Sequence, residues 1–195
     1  MRLGIFGGSF DPPHLGHLLP VIDAAESLGL DAVRFVPTAV QPLKVGRASA
    51  APEHRRAMTE RLVEGIPGFT VDSAEIERNG LSFTVDTLAG LAAANPAADL
   101  VLLLGADAFA LFDQWREPER IRELAMIAVL VRGDEKMPDL PAHADVARGG
   151  VRLLRTRRVD ISSTELRARV AGGRTIRGFV PAAVADYIAE HRLYR

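Results

Sequence analysis

Apolar and polar positions along the chain follow two periods, and the places where one gives way to the other mark the elements. Leu3, Ile5 and Phe6 form a short apolar strand, which Gly7, Gly8, Asp11, Pro12 and Pro13 can neither extend nor turn into a helix. From Leu18 onward the residues Leu18, Val21, Ile22, Ala25 and Leu28 recur at helical spacing, with Pro20 expected in the first turn, where its missing N–H costs nothing. Ala32 to Val36 reads as a second strand and Pro37 to Pro52 as a long loop. Glu53 to Val63 reads as a helix and Phe69 to Ile76 as extended. A turn follows at Asn79-Gly80, then a helix with Val85, Leu88, Leu91 and Ala92 on one face, ending before Pro96. Leu100 to Leu104 and Ala125 to Val131 are continuous apolar runs, the pattern of strands buried on both faces. Val151 to Leu154 is a shorter strand. Ser162 and Glu165 form a capping box that opens a helix closed by Gly172-Gly173, and Pro181 opens a last one carrying Val184, Tyr187, Ile188 and His191.

Strands of buried type alternating with helices imply an α/β fold, a Rossmann-like open and mostly parallel sheet with helices on both faces. No repeat, low-complexity tract or boundary interrupts it, so residues 1–195 are expected to be one domain. A chain of 195 residues can bury about 70% of its unfolded surface and needs no staple. It has no cysteine, which excludes disulfides and agrees with a reducing compartment. Arg2 is followed by only a few apolar residues before Asp11, and the runs Leu100 to Ala106 and Leu124 to Val131 fall far short of the ~20 residues that span a bilayer. The expectation is a cytoplasmic protein with no membrane partner. A net charge of -1 and a pI near 6.5 give no basic excess for a nucleic-acid backbone. The run Arg155 to Arg158 reads as a solvated surface. Small phosphorylated ligands remain compatible, because a pocket needs only a few cations, and a homo-oligomer stays open.

The chemistry concentrates where strands end. His14 and His17 stand at the start of the first long helix, after a loop of glycines and prolines. Unpaired N–H groups and the positive end of a helix dipole suit an anion, and glycines let a phosphate approach the backbone. The loop fits neither the Gly-Lys-Ser/Thr phosphate loop nor the Gly-x-Gly-x-x-Gly dinucleotide fingerprint. Incidental histidines or a zinc pair are the plainer readings, the latter lacking a cysteine or nearby third ligand. Asp107 follows the strand Leu100 to Leu104, where open parallel sheets place ligands; it suits ribose hydroxyls or a helix cap. Ser162 opens a second helix N-terminus able to hold phosphate or simply to cap. Thr84 and Asp86 read as caps, Trp115 as core, and Lys44 as an exposed lysine in the long loop.

The stretch Gly-Ser-Phe-Asp-Pro-Pro-His-Leu-Gly-His, residues 8 to 17, resembles the His-x-Gly-His signature of the nucleotidyltransferase superfamily, and within it the nicotinate-nucleotide adenylyltransferases. Ile161-Ser-Ser-Thr-Glu-Leu-Arg167 resembles the superfamily's second signature, and the resemblance extends from Gly4 to Tyr187. Pro37 to Lys44 resembles the family's Pro-Thr segment ending in His-Lys, with Leu43 where histidine is usual. Ser82 to Leu88 resembles Ser-Tyr-Thr-x-Asp-Thr-Leu, with Phe83 in place of tyrosine. Leu104 to Trp115 resembles its nucleotide-binding segment.

What the resemblance implies is transfer of AMP from ATP to nicotinate mononucleotide, giving nicotinate adenine dinucleotide and pyrophosphate, a step of NAD synthesis. His17, His14, Lys44 and Arg167 would be the catalytic groups. Gly7, Gly8, Ser9, Phe10, Gly105, Asp107, Ile161, Ser162 and Ser163 would join them around ATP. Asp11, Thr84, Trp115 and Arg132, with Lys44, would meet the acceptor, and Mg2+ would accompany ATP. The rival readings are another acceptor, nicotinamide mononucleotide or phosphopantetheine, and a nucleotide-binding module without catalysis.

Overall fold

A computed structural model of the chain describes residues 1–39, 50–78, 80–133 and 150–195. Six strands form one sheet in the order β3-β2-β1-β4-β5-β6, with every neighbouring pair parallel. They are β1 (Arg2–Gly8), β2 (Ala32–Pro37), β3 (Phe69–Val71), β4 (Asp99–Gly105), β5 (Met126–Arg132) and β6 (Val151–Thr156). The helices between and after them are α1 (Leu15–Leu28), α2 (Pro52–Val63), α3 (Ala74–Arg78), α4 (Thr84–Ala94), α5 (Ala106–Phe109), α6 (Pro118–Leu124), α7 (Ser163–Ala171) and α8 (Ala182–Glu190).

Successive strand residues point to opposite faces, and each face has its own core. Leu3, Ile5, Leu100, Leu102, Leu104, Ile127, Val129 and Val131 meet Val85 and Leu88 of α4 and Ile121 of α6. Val33, Phe35, Val101, Leu103, Ala128 and Leu130 meet Val21 of α1, Met58 and Leu62 of α2, Leu166 of α7 and Val184 and Ile188 of α8. Both faces of β4 and β5 are therefore dry, which is why these two strands read as unbroken apolar runs.

Three local expectations change. Helix α1 starts at Leu15 rather than Leu18, so Pro20 lies in the second turn and the Gly16 carbonyl lacks the N–H it would receive from position 20. The expected extended run to Ile76 stops at Val71, because the Asp72 carboxylate accepts from the Ala74 N–H at 2.9 Å and turns the chain into α3. Helix α4 begins at Thr84 with Phe83 as its N-cap and no side-chain capping bond, so neither Thr84 nor Asp86 caps it.

The pairing of β1 with β2 runs to Gly8 and Pro37, whereas its pairing with β4 ends at Ile5 and Leu102. The strand order reverses between β1 and β4, and their carboxyl ends part there. This is the crevice where open α/β sheets place ligands.

Candidate active site

The loop from Ser9 to His14 leaves β1 at this crevice, and its shape is set by a buried aromatic side chain. Phe10 is wholly buried despite a left-handed φ of 48°. Its ring lies 5.8 Å from those of Phe6 and Phe35 and meets His17 edge-on at 5.2 Å. Gly8 is needed beneath it, since a Cβ at Gly8 would stand 3.0 Å from the Phe10 ring. Phe10, expected against ATP, is instead a core residue that supports His17. Gly7 has nothing within less than 4.0 Å of where its Cβ would be, which leaves bare backbone at the mouth of the crevice.

His14 is the N-cap of α1, and its backbone N–H donates to Nδ1 of His17 at 3.3 Å. Because an N–H can only donate, Nδ1 of His17 is unprotonated and its ring proton sits on Nε2. The two imidazoles lie 3.8 Å apart. His14 is 5% exposed, and among the described residues its Nδ1 has no hydrogen-bond partner. Burial, assisted by the positive charge of Arg132, lowers the His14 pKa to about 4, so its ring is neutral near pH 7. The glycine between them is a steric requirement: a Cβ on Gly16 would stand 2.9 Å from Cε1 and from Nδ1 of His14 and 3.3 Å from the Ile161 carbonyl oxygen.

That contact brings in the second helix start. Ser162 is the N-cap of α7 and accepts from the Glu165 N–H at 3.2 Å. Ser163 donates its hydroxyl to the Pro12 carbonyl at 2.9 Å, and Arg167 donates to the Asp11 carbonyl at 2.7 Å. Two helix N-termini far apart in sequence are thus tied to one loop; at α1 the Leu15 and His17 N–H groups donate to the carbonyls of Phe179 and His14, and at α7 the Glu165 N–H donates to Ser162. Gly105 closes β4 as the N-cap of α5, which leaves Asp107 exposed and not a cap. Arg132 ends β5, exposed and close enough to bias His14.

Thr84 opens α4, and Phe83 and Trp115 are half-buried against the same apolar cluster. The Arg116 guanidinium covers Phe83 at 4.8 Å and stands 3.8 Å from the Asp86 carboxylate. Asp86 therefore faces a cation on the surface. Ser82 accepts from the Ala39 N–H at 2.9 Å and joins this helix start to the segment after β2. Lys44 and Leu43 lie outside the described residues.

Asp11, expected to meet the acceptor, turns inward. Its Oδ1 accepts from the Tyr194 hydroxyl at 2.7 Å and the Ala50 N–H at 3.1 Å, and Oδ2 is 3.8 Å from Arg167. Beside it Arg55, 3% exposed, donates to the carbonyls of Ala50, Ser9 and Ala39 at 3.0, 2.8 and 2.9 Å. Burial pulls its guanidinium pKa below the ordinary value, against the opposing pull of Asp11, Tyr194 and Glu53. Arg55 is not among the site residues to which the sequence points. The signal was its place in the stripe Arg55, Met58, Thr59 and Leu62, all buried on one face of α2. Tyr194 carries no comparable signal.

Residues 5–169 match the family described as cytidylyltransferase-like. A protein of Gemmatimonas aurantiaca described as a probable nicotinate-nucleotide adenylyltransferase is 48% identical over 100% of this chain and 93% of its own length. A Thermus thermophilus protein of the same description is 44% identical over 100% of both chains. Among solved structures, the Plasmodium falciparum nicotinic acid mononucleotide adenylyltransferase complexed with NaAD is similar in fold, with a TM-score of 0.74, 19% identity and coverage of 99% of this chain and 97% of that one.

Proposed function

Since the chain belongs to the cytidylyltransferase-like family, we propose that residues 1–195 form a single domain that transfers AMP from ATP to nicotinate mononucleotide, releasing pyrophosphate. The observation that carries this reading is the convergence of the His14/His17 pair and the α7 start on one loop, through Ser163 to Pro12 and Arg167 to Asp11. The acceptor phosphate is already ionised, so it attacks the α-phosphorus in line while the bond to pyrophosphate breaks, and no protein nucleophile is required. What the chain contributes is position and charge.

The neutral His17 offers its Nε2–H to an α-phosphate oxygen as charge shifts towards pyrophosphate. His14 would gain from a phosphate oxygen the partner its buried Nδ1 lacks among the described residues. Arg167, which donates to a loop carbonyl and is only partly buried, would turn to the triphosphate with the α7 N–H groups, and Arg132 adds a second cation. The Ser162 hydroxyl keeps a proton to donate while its oxygen caps α7. Ser163 spends its proton on Pro12, so its backbone N–H is what faces a phosphate. In this reading Asp107, exposed beyond β4, would meet the ribose hydroxyls, and Trp115 and Thr84 the pyridine ring. Lys44, outside the described residues, would contact ligand phosphate in this reading.

Magnesium fits this arrangement as an ion carried by the ATP phosphates. No three His, Cys, Asp or Glu side chains converge among the described residues, and the ion favours phosphate and water ligands. No described helix is long and apolar enough to cross a membrane.

The test is pyrophosphate release with ATP, magnesium and each of three acceptors. A carboxylate on the ring suits the N-terminal donors of α4, whose nearby Asp86 is occupied by Arg116. Leaving a buried donor facing an amide costs about 1 to 3 kcal/mol, with charge assistance in addition, so nicotinate mononucleotide should exceed nicotinamide mononucleotide by ~100-fold in kcat/KM. Equal values, or a preference for the amide or for phosphopantetheine, would overturn the acceptor assignment; no release with any of them would overturn the transferase reading.

A further inference from the structure

Asp11 is the meeting point of four parts of the chain that sequence does not connect. One carboxylate oxygen holds Tyr194, from the segment after α8, and Ala50, which precedes α2. The other faces Arg167 of α7 at 3.8 Å, too far for a good hydrogen bond but well within ion-pair range, while the same Arg167 nitrogen donates to the Asp11 carbonyl. Arg55 fixes the carbonyl of Ser9, two residues earlier, so the loop has little freedom to move.

Tyr194 holds a left-handed φ of 64°, uncommon for a residue with a side chain, and its hydroxyl reaches Asp11 across 183 positions of sequence. Burial and the bond to Asp11 push its phenol pKa up, so it remains a donor throughout the working range. The donated proton offsets part of the carboxylate charge and holds its plane, keeping Oδ2 short of a full hydrogen bond to Arg167.

From this geometry we infer that Tyr194 is a positioning residue that limits how strongly Asp11 competes with ATP for Arg167. Resting on the proposed transfer, in which Arg167 grips the triphosphate, the inference assigns a function to a residue that touches neither substrate. Removing the hydroxyl leaves Asp11 seeking another donor, and Arg167 is the cation placed to supply it. ATP must then break a tighter internal pair to recruit the arginine.

Tyr194→Phe keeps the ring and deletes only that donor. The expected result is a KM and a Kd for ATP raised about tenfold (1.4 kcal/mol), with kcat and the KM for the mononucleotide within twofold of the unaltered enzyme. A purely structural role would lower Tm and the active fraction while leaving KM for ATP alone. Asp11→Asn supplies the second arm, because it removes the competing charge. In that background, adding Tyr194→Phe should change the ATP Kd less than twofold, a coupling that a double-mutant cycle reads directly. An ATP Kd unmoved by Tyr194→Phe, or an equal effect with and without the Asp11 carboxylate, overturns the inference. Failure of the unaltered enzyme to release pyrophosphate would instead overturn the reading on which it rests.

Discussion

Gly16→Ala is a one-carbon test of the site. The new Cβ would stand 2.9 Å from two atoms of the His14 ring and 3.3 Å from the Ile161 carbonyl oxygen. Ordinary contact begins near 3.4 Å, so the ring must retreat by about half an ångström or the start of α1 must tilt away from Ile161. Neither neighbour is a flexible side-chain end: one ring is buried against His17 and the other atom is backbone. Alanine is also the better helix former, by up to about 1 kcal/mol, which opposes the strain and holds the loss of stability small. Activity has no such compensation. A displacement of about 1 Å at a reacting centre costs on the order of 100-fold, so a shift of half that size predicts a ~10-fold or greater fall in kcat/KM, or at least 1.4 kcal/mol. Steady-state pyrophosphate release, with Tm measured alongside, reads both quantities. A kcat/KM within twofold of the unaltered enzyme would show that His14 has room to move and that the glycine is not a steric requirement.

Two further outcomes follow from buried charges. Arg55→Met leaves three buried carbonyls without their donor, and urea denaturation should show a loss of about 3 to 5 kcal/mol; less than 1 kcal/mol would mean that water replaces the guanidinium at little cost. His14 titrates near 6.5 when unfolded and near 4 when folded, so between those values the unfolded chain binds a proton that the native one refuses. Stability is fully present above pH 6.5 and is lost as pH falls towards 4. Going from pH 7 to pH 4.5 should cost the unaltered protein about 2 kcal/mol more than it costs His14→Gln, and equal losses in the two proteins would remove His14 as the cause.

The parts of the fold that were legible are those where one local rule acts alone. The runs at β4 and β5 are apolar because both faces are covered, and no tertiary detail was needed to see that. The loop with its two histidines stood out because glycine and proline break periodicity at fixed places. At α3 an Asp72 side chain overrode the extended reading, and at α4 the capping residues that sequence pointed to were displaced by Phe83, whose ring packs on the apolar cluster. The roles of Asp11, Arg55 and Phe10 were illegible for a common reason. Each has at least one partner tens of residues away, as Asp11 has in Tyr194, Arg55 in Ser9 and Phe10 in Phe35, and a buried side chain looks like any surface one until those partners are known. Asp11 and Asp107 show the outcome: both read as ligand contacts, and only Asp107 is exposed.

The bonds from Ser163 to Pro12 and from Arg167 to Asp11 close loops of 151 and 156 residues. Loop-closure entropy grows as about 1.5 RT times the logarithm of length, so bringing such ends together costs roughly 2 kcal/mol more than closing a loop a tenth as long. Neighbouring strands β1 and β2, by contrast, meet across a single helix. The half-sheets β3-β2-β1 and β4-β5-β6 can therefore form from short-range pairings, and β1 can meet β4, as Leu3 meets Leu100, while the two helix starts are still apart; the ligand crevice becomes complete only when α7 docks. During refolding, native-like secondary structure and a buried core should precede the return of a competent site, making turnover a late reporter of folding in this protein.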